Sequence, residues 1–93
     1  MKHNGKEIRI KYLVFPIEVQ GAVAGFTREF ENSYLVGIDS TRAAIVQRHT
    51  LGHELAHIFL DHIDQHDRSV MEQEAEADRE AWNYYRAYRD NRL

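Results

Sequence analysis

Cysteine is absent from the 93-residue chain, which excludes a disulfide framework, a thiolate nucleophile and thiolate ligation of a metal. Any metal must therefore be held by His, Asp or Glu. A cationic excess is also lacking: 12 basic against 15 acidic side chains leave a formal charge of -3, so no strongly positive surface exists to hold a phosphate backbone by counterion release. Direct binding of nucleic acid is not expected. Apolar runs are only a few residues long and the first seven positions, Met1 to Glu7, carry no apolar signal segment, which points away from membrane and export and toward the cytoplasm. At this length one core of modest burial is the limit, so residues 1–93 read as a single domain. Histidine, by contrast, is over-represented: there are six, and four of them (His49, His53, His57 and His62) fall within fourteen positions.

The pattern runs from strands to helices. Ile8 to Phe15 alternates with a period of two, as a strand with one face on a core does, and Pro16, the single proline, should end it. Glu18 to Glu31, with glycines at 21 and 25, reads as a weaker bent or bulged strand. Tyr34 to Ile38 is a short β-rich run, after which Asp39 and Ser40 offer N-cap oxygens to a helix starting near Thr41. Apolar Ile45, Leu51, Leu55, Ile58 and Phe59 give that helix a core-facing stripe up to about Leu60. Gly52 inside it costs roughly 1 kcal/mol relative to alanine, which calls for a packing or site reason. Asp61 to Arg68 is a polar connection, and a second helix is expected from Val70 to Arg89, with Ala77 and Ala81 permitting close approach. The fold class is α+β.

His53-Glu54-Leu55-Ala56-His57 is an H-E-x-x-H sequence within the first helix. Residues four apart on a helix lie one above the other, so both imidazoles can grip one metal ion from the same face. Glu54 is rotated beside that position, where its carboxylate can hold a water at the metal and take its proton. In a chain of this composition the bare pattern arises by chance with a probability of roughly 4%, so its context must decide. A tetrahedral catalytic zinc site takes three protein ligands, and the second helix offers Glu72, Glu74 and Glu76. Glu74 is taken as the candidate third ligand, with Asp78 four positions on along the same face. Asp78 could accept a hydrogen bond from the outer nitrogen of a ligating histidine and fix its tautomer. Glu72 and Glu76 remain alternatives.

Of the other candidates, His49 lies one turn before His53 and is read as a supporting residue, since a fourth ligand would close the open position that a hydrolase needs. His62 reads as a helix-end residue that complements the dipole, and His3 and His66 as solvated. Tyr84, Tyr85 and Tyr88 include possible oxyanion donors, although an aromatic stripe at helical spacing reads first as core.

Gln47 to His62, with Thr50 ahead of the H-E-x-x-H and apolar residues before His62, resembles the active-site helix of the ImmA/IrrE family of metallopeptidases. Gly25, the Tyr34 to Asp39 segment and the spacing to the helix are also similar, and Glu74-Ala75-Glu76-Ala77-Asp78 is similar to that family's E-x-x-A-N/D third-ligand segment. The likeness covers roughly Pro16 to Ala81. Where the family usually continues with phenylalanine-alanine, this chain has Arg79-Glu80-Ala81-Trp82. The resemblance implies a minimal zincin-like domain: a short antiparallel sheet packed on the H-E-x-x-H helix and a second, ligand-bearing helix. It further implies a zinc metallopeptidase of bacterial, phage or mobile-element type, with Zn2+ on His53, His57 and Glu74. Its substrate would be a protein, such as a helix-turn-helix transcriptional repressor or an antitoxin-like regulator. The alternative of another class is a zinc-stabilised binding module that sequesters a regulator, or takes part in a toxin–antitoxin complex, without proteolysis.

Overall fold

Asn4 and Gly5 both have positive φ, 51° and 76°, the combination demanded by a two-residue hairpin turn whose twist matches that of its strands. They join β1 (Lys2–His3) to β2 (Lys6–Leu13), a hairpin that the alternation beginning at Ile8 did not reveal. The structure, a computed structural model, describes residues 1–64 and 68–93. His66 lies outside the described residues.

After β2 the chain turns at Pro16, whose carbonyl accepts from the amides of Val19 and Gln20, and Gly21 follows at φ 87°. The stretch expected as one bent strand is thus strand only in its second half, β3 (Gly25–Glu29). The physical reason is that turn bonds occupy the backbone groups just after Pro16. β4 (Ser33–Asp39) returns antiparallel to β3 and lies parallel to β2, giving the order β1-β2-β4-β3. The sheet is therefore mixed, and the antiparallel sheet implied by the family resemblance is corrected. Burial explains the arrangement: Tyr34, Val36, Ile38 and Asp39 of β4 are all at most 3% exposed. A strand so covered belongs at the centre, leaving β3 as an edge.

Two helices cover one face of the sheet: α1 (Ala44–Phe59) and α2 (Val70–Arg89), with a 3-10 turn (His62–Asp64) following α1. Helix α1 starts later than Asp39 and Ser40 suggested. Asp39 ends β4, and its buried carboxylate accepts from the Thr41 amide and hydroxyl at 3.0 and 2.7 Å and from Arg42 at 3.3 Å. These donors, the Thr41 hydroxyl foremost, hold its pKa below the ordinary aspartate value. Asp39 thus closes the turn into α1, and the helix itself begins after Ala43 without a side-chain cap. Helix α2 is capped by Ser69, whose Oγ accepts from the Glu72 amide at 3.1 Å.

Ile8, Tyr34, Val36 and Ile38 from the sheet meet Leu51, Leu55 and Ile58 of α1 in one core, with Phe59, Tyr84, Tyr85 and Tyr88 packed at its margin. At the far end of α1, His3 is not merely solvated. It meets Phe59 edge-on at 4.8 Å and bonds Asp61 at 2.8 Å, tying the first hairpin to the helix end. Gly52 has its packing reason, because a Cβ there would overlap the Ala81 carbonyl of α2. Replacing Gly52 with alanine should therefore force the helices apart and destabilise the fold by about 1–3 kcal/mol, despite alanine's better helix propensity. A urea midpoint equal to or above that of the parent would contradict this packing.

Candidate metal centre

The antiparallel crossing of α1 and α2 brings His53, His57 and Glu74 together, each offering a ligand atom within 4.8 Å of the others. His53 Nε2 lies 3.0 Å from His57 Nε2 and 2.8 Å from Glu74 Oε2, and His57 Nε2 lies 3.2 Å from Glu74 Oε1. Ligand atoms held about 2.0–2.1 Å from a tetrahedral ion stand roughly 3.3 Å apart, so this spacing suits a small divalent metal after minor adjustment.

The outer nitrogens decide what the inner ones can do. His53 lies between two carboxylates, with Nδ1 2.7 Å from Asp78 Oδ1 and Nε2 2.8 Å from Glu74 Oε2. A carboxylate only accepts, and of the two neutral tautomers the one protonated on Nδ1 toward Asp78 leaves Nε2 bare for a metal. His57 Nδ1 is 2.9 Å from His62 Nδ1, and His62 Nε2 is 2.6 Å from Glu76 Oε1. Neutral histidines in that row also leave His57 Nε2 bare. In these tautomers two nitrogen lone pairs and a carboxylate face one point with no donor among them. A cation, whether proton or metal ion, relieves the repulsion, and the two compete. Burial pushes His57's pKa below the ordinary histidine value, outweighing the opposing charge of Glu74, which keeps that ring neutral as ligation requires.

Glu54 is 8% exposed and accepts a 2.7 Å hydrogen bond from the Thr27 hydroxyl of β3. Burial raises its pKa above the ordinary glutamate value, Glu74's charge adds to the rise, and the Thr27 bond and His53 oppose it. Gly25 permits this proximity, since a Cβ there would come 2.5 Å from Thr50 Cγ2 and 2.9 Å from the Gly37 carbonyl. The open pocket above these groups is about 620 Å3, with the segment from Val23 to Thr27 on one side and Glu74 and Asp78 on the other. Compared with protein-family models, curated proteins and solved structures, the chain matches none.

The alternative carboxylates are engaged elsewhere. Glu72 sits in the first turn of α2, its amide bonded to Ser69 and its carboxylate 4.0 Å from Arg68. Glu76 accepts from His62 and, at 2.9 Å, from Arg68; the His62 bond foremost lowers its pKa. His62 is 4% exposed, so its expected helix-end role is corrected. It bridges His57 to Glu76, because the 3-10 turn folds its ring back beneath α1. His49 packs edge-on to Trp82 at 5.4 Å and stands beside His53 without joining the three ligand atoms. Tyr84, Tyr85 and Tyr88 pack on the core and do not line the pocket. Sequence reasoning missed Thr27 and the pairing of His62 with Glu76. Spacing along the chain carries no signal for either.

Zinc added to metal-free protein should raise its melting temperature, by about 2.7 kcal/mol of stabilisation at a free concentration 100-fold above Kd, and His57→Ala should abolish the shift. Equal shifts in both proteins would place the metal elsewhere. For Glu54 the raised folded-state pKa means that ionisation costs stability. The cost is absent below the unfolded-state pKa, grows as pH rises through the folded value and stays complete above it. Glu54→Gln should thus stabilise the metal-free protein at neutral pH and lose that advantage as pH falls below the ordinary glutamate value. Parallel stability–pH curves would reject the burial cost.

Proposed function

We propose that the protein is a minimal zincin-like, zinc-dependent peptidase of the ImmA/IrrE kind, acting in the cytoplasm on a protein regulator such as a helix-turn-helix repressor. The observation that carries this reading is the convergence of three acceptor atoms beside a buried carboxylate at the foot of an open pocket. What zinc would supply on His53, His57 and Glu74 is Lewis acidity, which lowers the pKa of a water and polarises a carbonyl.

The chain's own groups do the rest. With Oε1 held by Thr27, the Glu54 carboxylate keeps lone pairs on Oε2 to accept a proton from the attacking water. Its raised pKa brings it closer to the operating pH of an efficient general base. β3 ends the sheet order, and such an edge offers backbone groups to which an extended peptide can add as a further strand. Because Gly25 and Thr27 of that strand line the pocket, a peptide added there would lie across the three ligand atoms.

A second reading has one observation behind it: the ligand set bridges α1 and α2, so zinc would brace the fold whatever its chemistry, as in a binding module that sequesters a regulator. Glu54→Gln separates the two. Zinc should still bind at one ion per chain while cleavage falls about 10²–10⁴-fold, read as loss of shortened products from a candidate repressor. Undiminished cleavage would reject the general base, whereas a target that the parent enzyme never shortens but holds in a zinc-dependent complex would favour the module.

A further inference from the structure

We propose that His62 and Glu76 are positioning residues for the metal centre: the hydrogen-bonded row Glu76–His62–His57 fixes the tautomer in which His57 turns a bare Nε2 toward the ion. This rests on the reading that His53, His57 and Glu74 hold a metal.

The row has a direction, set by its end. Glu76 Oε1, 2.6 Å from His62 Nε2 and 2.9 Å from Arg68 Nη1, accepts and cannot donate. His62 Nε2 therefore carries a proton, and neutral His62 presents Nδ1 as an acceptor. The group facing it at 2.9 Å is His57 Nδ1, which must then be the N–H. The opposite nitrogen, His57 Nε2, is left bare among His53 Nε2 and Glu74 Oε1. One imidazole thus transmits the preference of a carboxylate to a ring that the carboxylate does not itself touch.

The two candidate ligand histidines are served differently. His53 bonds a carboxylate of α2 directly, through Asp78, whose side chain is 64% exposed. His57 instead meets a buried histidine from the 3-10 turn, backed by Glu76 on α2 and by Arg68 just before it. A partner on each outer nitrogen is what makes a histidine a well-oriented ligand, and loss of such partners commonly weakens metal affinity about 10- to 100-fold. The competing assignment, a doubly protonated His62 with the proton of His57 on Nε2, would point a donor at the ion's position and oppose binding.

Two measurements test the proposal. Long-range ¹H–¹⁵N NMR of the metal-free protein reads each tautomer, and the Nδ1–H form of His57 with the Nε2–H form of His62 is expected. His57 carrying its proton on Nε2 would overturn the proposal. Competition with a chromophoric chelator reads zinc affinity: His62→Phe should lose about 10- to 100-fold, and Glu76→Ala a smaller amount in the same direction. His62→Gln, whose amide can accept from His57 and donate to Glu76, should recover most of the loss, which a purely space-filling role for residue 62 would not predict. Should His62→Phe fail to fold, Glu76→Ala and His62→Gln still decide. Zinc binding by the parent with unchanged affinity in the variants would sink the positioning role alone. No zinc binding by the parent would sink the metal reading and the proposal with it.

Discussion

The backbones of α1 and α2 meet at Gly52, where there is no room for a side chain against the Ala81 carbonyl, and the fully buried Ala77 and Ala81 carry the contact along α2. That separation decides whether two short acidic side chains can reach across. Glu74 must span from one helix to two imidazoles on the other, and Asp78 to the outer edge of one of them. Wider packing around ordinary core residues would leave both carboxylates in solvent. The glycine costs helix propensity, and the close crossing it allows is what brings the three candidate ligand atoms together.

The same neighbourhood concentrates unfavourable electrostatics. A carboxylate is buried beside another carboxylate, and two imidazoles bring their Nε2 atoms within 3.0 Å of each other. In a chain of 93 residues, whose core is small, such an arrangement is expensive in the metal-free state. It persists because the outer shell is well satisfied: Thr27 serves Glu54, Asp78 serves His53, and His62 with Glu76 serves His57. Local costs supported by surrounding structure are characteristic of functional sites. They also explain how one ion could matter both to chemistry and to the cohesion of so small a fold.

What the chain reveals by periodicity follows from interactions within one element. His53, Glu54 and His57 share a helix, so their relative directions are set by 3.6 residues per turn. The i,i+4 relation of Glu74 and Asp78 is likewise internal to one helix. Glu72 and Glu76 have acidic residues at the same spacing, however, so it is the crossing with α1 that brings Glu74 to the histidines. Helix α2 itself spans Val70–Arg89 as its pattern suggests. The first hairpin left a local signal as well, in the Asn4-Gly5 pair. Harder to see was the mixed sheet, because strand alternation identifies a face and says nothing of which neighbour a strand chooses.

By itself, then, the sequence determined the alternation of the strands, the two helices and the set of side chains that each helix turns to one side, because these depend on bonds and spacings of a few residues. The tertiary structure alone decided that β4 lies between β2 and β3, that Thr27 of the edge strand bonds Glu54, and that His62 turns inward to join His57 to Glu76. Each of these depends on the burial of surfaces from elements distant in the chain, and the same two histidines and glutamate with a wider helix crossing would be separate, solvated groups.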